Sequence, residues 1–424
     1  MMEIDSEKKL GTWGLTAFYI SSVVGVGILV VPGIAYQIAG PASLISWIIL
    51  ILSSIPLAFL FARISMLYPN SGGLIHYIRL MFGKRIGDAS GFLLLITMIA
   101  GNPIMGIASA RYLLHLWQLP ATNGMVLAVG FGFMFLSVLF NLLHIKTGSR
   151  VQLGILAALI AGLLATVFIA VPHFQLENLT PFAPNGYFSI GAAMVVCFYS
   201  FLGWENVSTI AEEVKHPKRT YKKAVLLAVG LVGILYLALT TSVIMVLSYG
   251  KSDEYSLVLA SLLSEISTPN ATYMGTIAAI ILMVLCTNAW VLGASRLVTA
   301  LSRDGVIPAV FTKVSRTTNA PYLSLFLLLA FYGLVLLLLY FGTGTEKELI
   351  LFANSSFILV YVITFLATYR NLNAGLYRIY SLISIIFCVI SMFFIGWMIV
   401  ISALFMAMYI LYHRRKTKHG EKVV

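Results

Sequence analysis

Ser21-Ser-Val-Val-Gly25-Val-Gly27-Ile-Leu29, followed by Pro32-Gly33, interrupts what is otherwise one long apolar run. Glycine is costly inside a helix, and a pair of glycines two residues apart marks a break. A second interruption, Tyr199-Ser-Phe-Leu-Gly203-Trp-Glu205-Asn206, lies far along the chain in another apolar run. What surrounds these two breaks decides how they are read.

Apolar runs of membrane-spanning length recur from one end of the 424-residue chain to the other. Only 10% of the residues are charged, against about 25% in ordinary soluble proteins. The mean hydropathy is +0.97. We read spans at 12–38, 41–67, 89–116, 122–145, 148–171, 185–210, 221–249, 272–300, 319–341, 347–370, 375–393 and 396–413. Each can cross a hydrocarbon core roughly 30 Å thick. The expectation is an all-α membrane protein of twelve transmembrane helices with no separate soluble domain. The start, MMEIDSEKK, lacks the basic opening and cleavage site of a signal peptide.

A net charge of +12 would suggest nucleic acid for a soluble chain. Here its distribution gives a topology instead. With the N-terminus inside, only Arg111, Lys251 and Lys347 among the basic residues fall outside. The positive-inside rule then puts both termini in the cytoplasm and the chain in the cytoplasmic (inner) membrane. No nucleic-acid partner is expected. Anionic membrane lipid is a secondary partner, best placed at His413-Arg-Arg-Lys416. Cys197, Cys286 and Cys388 lie far apart inside apolar spans, and the seven histidines show no metal-ligand spacing. Neither a disulfide framework nor a metal or other cofactor is expected.

The twelve spans divide as five, five and two. The broken spans are the first and the sixth, which hold the same place in each half. That is the pattern of an inverted repeat, 12–171 and 185–370, whose broken helices meet at the bilayer midplane. The other reading is that the glycines only let helices pack closely. Between spans two and three, Pro69 and Gly72-Gly73 punctuate a stretch read as a short amphipathic helix on the membrane surface. Spans eleven and twelve, 375–413, carry no break; they pack peripherally or form an oligomer contact.

Four motifs resemble the amino acid–polyamine–organocation superfamily over nearly the whole chain. They are Gly25-Val-Gly27-Ile28 with Pro32; Tyr68-Pro-Asn-Ser-Gly-Gly73 with Tyr77 and Phe82-Gly83; Phe201-Leu-Gly203-Trp-Glu205 running on to Glu212-Glu-Val-Lys-His-Pro217; and Ser295-Arg296 with Arg303-Asp-Gly-Val-Ile-Pro308. Within it the chain looks most like bacterial exporters of methionine and branched-chain amino acids, partly through Leu351-Phe-Ala-Asn354-Ser355. The resemblance implies a LeuT-type fold and secondary amino-acid transport, by export, proton-coupled import or exchange. The chain departs from the pattern in two places. Thr220-Tyr-Lys-Lys223 lacks the proline many members carry there. Span five, Val151 to Val171, has no charged residue, where several relatives use a lysine in place of a sodium ion.

An amino acid brings a carboxylate and an ammonium that need substitutes for water. The half-helix beginning after Gly25 offers free N–H groups and the positive end of a dipole for the carboxylate. The half-helix ending near Ser22-Val23 offers free carbonyls for the ammonium. The resemblance gives these backbone roles to Val23, Gly25, Val26 and Gly27, with Phe201, Leu202 and Gly203 at the second break. Tyr199 and Trp290 are candidate aromatic contacts or packing aromatics. Asn102, beside Pro103, either touches the substrate or satisfies a freed carbonyl. Glu205, a carboxylate deep in a span, needs a reason to be there. It either caps the half-helix after the break or carries a coupled proton. No nucleotide-binding loop, catalytic cluster or filter segment is recognisable, which disfavours an ATP-driven pump, an enzyme and a channel.

Overall fold

The computed structural model describes residues 10–25, 27–70, 73–143, 149–250, 257–315, 318, 320–372 and 375–418. Val26, one of the expected backbone contacts, lies outside them. The first apolar run is two helices, α1 (Thr12–Val23) and α2 (Gly27–Ala39). Val24 has left helical geometry, at φ −78° and ψ 102°. Then come α3 (Ser43–Leu67), the short α4 (Gly73–Phe82), α5 (Lys84–Leu116), α6 (Asn123–Leu142) and α7 (Ser149–Ala170).

The sixth run starts as α8 (Ser189–Cys197) and continues as 3-10 turns over Phe198–Phe201 and Trp204–Glu213. The chain continues through α9 (Pro217–Val246), α10 (Val258–Ile266), α11 (Pro269–Arg303), α12 (Tyr322–Tyr340), α13 (Glu346–Asn371), α14 (Gly375–Ile395) and α15 (Met398–Lys418). Among the described residues nine helical stretches are long and apolar enough to cross a membrane, and two shorter apolar ones cover Ile160–His173 and Met398–His413.

The second half of the sixth run is not the α-helix a half-helix would suggest. It is a 3-10 helix of 10 residues, longer than such helices usually run. Two local causes are visible. Gly203 turns the chain with φ at +121°. The hydroxyls of Ser208 and Thr209 then donate to the carbonyls of Glu205 and Asn206, three residues back, at 2.7 Å each. Such bonds compete with the helical ladder.

The core gathers around the two breaks. Tyr19, Tyr36, Trp47, Trp204, Tyr236 and Tyr361 are fully buried there. The outer faces are apolar too: Phe393 is 71% exposed and Leu404 56%, as suits hydrocarbon rather than water as solvent. Helices α13 and α15 are joined by buried hydroxyls, Ser402 meeting Ser355 at 2.5 Å and Ser356 at 2.9 Å.

At one end of the bundle Arg79 of α4 clasps Asp88 of α5 at 2.7 Å and Asp304, just after α11, at 2.6 Å. Burial alone would pull the Arg79 pKa down. The hydrogen bond to Asp304 and the charges of both carboxylates outweigh it and raise the pKa above the ordinary arginine value. Near the other end Arg111 of α5 makes a two-pronged ion pair with Glu346 of α13.

Candidate functional site

The two breaks touch. A Cβ on Gly203 would fall on the carbonyl of Ser22, and a Cβ on Gly27 would come within 3.0 Å of the Cα of Ser200. Only glycine lets the strands of backbone approach this closely. Gly25 is looser, since its Cβ would sit 3.6 Å from the Cys286 sulfur, an ordinary contact. Tyr236 of α9 ties the junction from behind. Its hydroxyl donates to the Ser200 carbonyl at 2.9 Å and lies 3.4 Å from the Val23 carbonyl. Trp47 stacks on the Tyr236 ring at 4.9 Å and Phe201 packs on it at 5.3 Å.

A cavity of about 500 Å³, its mouth included, opens beside this junction. Of the residues expected at the site, Ser22, Val23, Gly25, Gly27, Asn102, Tyr199, Leu202 and Trp290 line it. Phe201 and Gly203 do not: the Phe201 ring is turned into the aromatic cluster with Trp47 and Tyr236. The sequence reading missed the α5 wall, Thr97, Met98, Gly101 and Met105, and the α13 wall, Ala353 and Phe357. These are unremarkable apolar and small residues in apolar spans. A helical stripe at positions 97, 98, 101, 102 and 105 was the available signal.

Among the described residues the cavity lining holds no acidic, basic or histidine side chain. Its polar side chains are mostly engaged. Thr97 bonds back to the Leu93 carbonyl at 2.7 Å. Asn102 donates its amide to the Tyr332 hydroxyl at 2.8 Å, so its side-chain nitrogen serves a neighbouring helix rather than the carbonyl freed by Pro103. The Ser200 hydroxyl is buried and has no partner among the described residues. Backbone at the two breaks thus supplies most of the polar surface, and Met98, Met105, Leu202, Trp290 and Phe357 supply an apolar one.

Glu205 lies behind the cavity, not in its wall, and is only 6% exposed. One carboxylate oxygen accepts the Gly203 N–H at 3.0 Å and the Tyr361 hydroxyl at 2.5 Å. The first bond caps the start of the 3-10 segment, in the manner of a side chain reaching back to a helix N-terminus. The second pins that segment to α13. Tyr361 packs edge-on against Phe357 at 6.1 Å, which connects the carboxylate to the cavity wall. Among the described residues no three His, Cys, Asp or Glu side chains gather as a metal site.

Long apolar helices with apolar outer faces, enclosing a cavity built at two helix breaks, define a multi-pass membrane protein with an internal site. The model of the amino acid permease family matches residues 10–413. The chain belongs to that family. It is 29% identical to the uncharacterized amino acid permease YecA of Bacillus subtilis, over 96% of each chain. It is 26% identical to the L-methionine/branched-chain amino acid exporter YjeH of Escherichia coli, over 94% of each. It is 23% identical to the branched-chain amino acid permease BcaP of Bacillus subtilis, over 97% of this chain and 94% of the relative. These relatives are transport proteins, and this chain is an amino-acid transporter rather than an enzyme.

Proposed function

We propose that the protein is a secondary transporter that exports neutral, apolar L-amino acids across the cytoplasmic membrane by alternating access. The observation that carries this reading is the cavity itself: exposed backbone at two helix breaks, apolar side chains opposite, and no charged group in the described lining. A zwitterion needs the backbone groups, and a charged side chain would find no counter-ion. The N-terminus of α2, at Gly25, Val26 and Gly27, receives the carboxylate. The carbonyls near Ser22, Val23, Phe201 and Leu202 receive the ammonium. Tyr199, Trp290 and Asn102 line the side-chain space with the α5 and α13 walls.

In this reading the chain has twelve transmembrane helices in a single domain, with repeats at 12–171 and 185–370 and helices α14 and α15 added at the edge. Both termini are cytoplasmic. Export is favoured over import by the likeness to the methionine and branched-chain exporter. Glu205 is structural, because its bonds to Gly203 and Tyr361 occupy it within the protein.

The test is transport by purified protein in liposomes. Methionine, leucine, isoleucine and valine should exchange across the membrane without ATP, while lysine and glutamate should not. Failure of every neutral amino acid in uptake, efflux and exchange would defeat the proposal. Net movement driven only inward by a proton gradient would replace export by proton-coupled import.

A further inference from the structure

Away from the cavity, where α3 ends and α9 begins, Arg63, His216, Lys218 and Arg219 line a recess of about 1080 Å³. None of the four forms a salt bridge among the described residues, although Glu212 and Glu213 lie only a few positions ahead. His216 adopts the left-handed conformation, φ 43°, and so swings Pro217, Lys218 and Arg219 into the first turn of α9. That turn has no acidic residue and no side-chain cap, so the positive end of the helix adds to the charges beside it. Arg63 is held in place: its guanidinium lies 5.1 Å from the centre of the Tyr377 ring of α14. Its Nε is buried without a hydrogen-bond partner among the described residues.

Several like charges gathered without a partner repel one another and call for an anion. The rest of the recess says which kind. Met66, Leu67 and Pro217 make the remainder of its wall. Past Tyr377, α14 presents Leu376 and Ile379 to the outside, 56% and 55% exposed. A free phosphate has no use for such a flank, whereas a phospholipid places its headgroup among the cations and its acyl chains along the helix. We propose that this recess binds the phosphate headgroup of an anionic phospholipid, at the junction of α3, α9 and α14. It is distinct from the basic tail at Arg414 and Arg415, which the sequence alone had favoured.

The test uses full-length protein in neutral detergent and a fluorescent phosphatidylglycerol, displaced by unlabelled competitors. Lys218 and Arg219 are exposed on the surface, so Lys218→Gln and Arg219→Gln leave the fold intact. Each charge removed should weaken binding on the order of fivefold. The paired change Arg414→Gln and Arg415→Gln should leave affinity unchanged. Phosphatidylglycerol should compete, and phosphatidylcholine should not. Undiminished binding in the Lys218→Gln, Arg219→Gln double variant would overturn the proposal. Displacement by inorganic phosphate at concentrations matching the lipid would also overturn it, leaving a simple anion site. Loss of binding only in the Arg414, Arg415 variant would move the lipid to the tail.

Discussion

The hydroxyl of Tyr236 sits between two carbonyls, 2.9 Å from that of Ser200 and 3.4 Å from that of Val23, and so joins the ends of both interrupted helices. Those carbonyls belong to the backbone ends proposed to receive an ammonium. Tyr236→Phe keeps the stacking on Trp47 and removes only the donor. It should lower stability by about 1 kcal/mol and alter substrate affinity more than a remote tyrosine would. Thermal unfolding and substrate-dependent exchange in liposomes read the two effects. Unchanged affinity would show that Tyr236 serves only to pack the junction.

Gly27→Ala tests whether the glycine is needed for the ligand or for the neighbouring turn. Its added methyl would come 3.0 Å from the Ser200 Cα and Cβ and still closer to the hydroxyl. Overpacking of this kind costs about 1–3 kcal/mol. Combining it with Ser200→Gly should recover most of the stability. If transport returns with it, packing is the role of Gly27. If stability returns and transport does not, the space belongs to the substrate.

Gly101→Ala should be tolerated by the fold, since its Cβ would meet that of Ala353 at 3.5 Å, an ordinary contact. It narrows the apolar side of the cavity. Methionine and leucine should lose affinity by about 10-fold or less, on the scale of 1–3 kcal/mol per misfitted methylene, while alanine should be little affected. Equal loss for all substrates would place Gly101 outside the side-chain space.

Glu205→Gln keeps an oxygen able to accept from Gly203 and from Tyr361. We expect stability to fall by about 1 kcal/mol, the scale of a lost cap, with exchange retained. Transport by this variant, measured with and without an imposed pH gradient, separates structure from coupling. Loss of gradient-driven movement with exchange preserved would make Glu205 the proton site.

Most of the helices were legible because hydrocarbon imposes a simple pattern: long apolar runs, with charge confined to their ends. Both breaks were legible because Gly25, Gly27 and Gly203 stand where a helix would rather have alanine. The amphipathic α10 was not anticipated. Its apolar residues, Val258, Leu259, Leu262 and Leu263, sit in a segment of 9 residues, too short to cross a membrane. The 3-10 form of Trp204–Glu213 was also hidden, because it depends on two serine and threonine hydroxyls choosing near carbonyls. At the site, backbone positions could be read from glycines. The α5 and α13 walls could not, because Met98, Met105 and Ala353 look the same whether they face a substrate or another helix. Tyr236 was missed for a similar reason: one tyrosine in an apolar span shows nothing of where its hydroxyl points.

The contact between Gly203 and the Ser22 carbonyl leaves no room for sliding, and Glu205 fastens the same turn to α13 through Tyr361. The junction therefore works as a single knuckle. Any movement that opens the cavity toward one side of the membrane has to carry α1 and the Trp204 segment together. Spectroscopic labels on these two pieces should keep their mutual separation while both change their distance from α5.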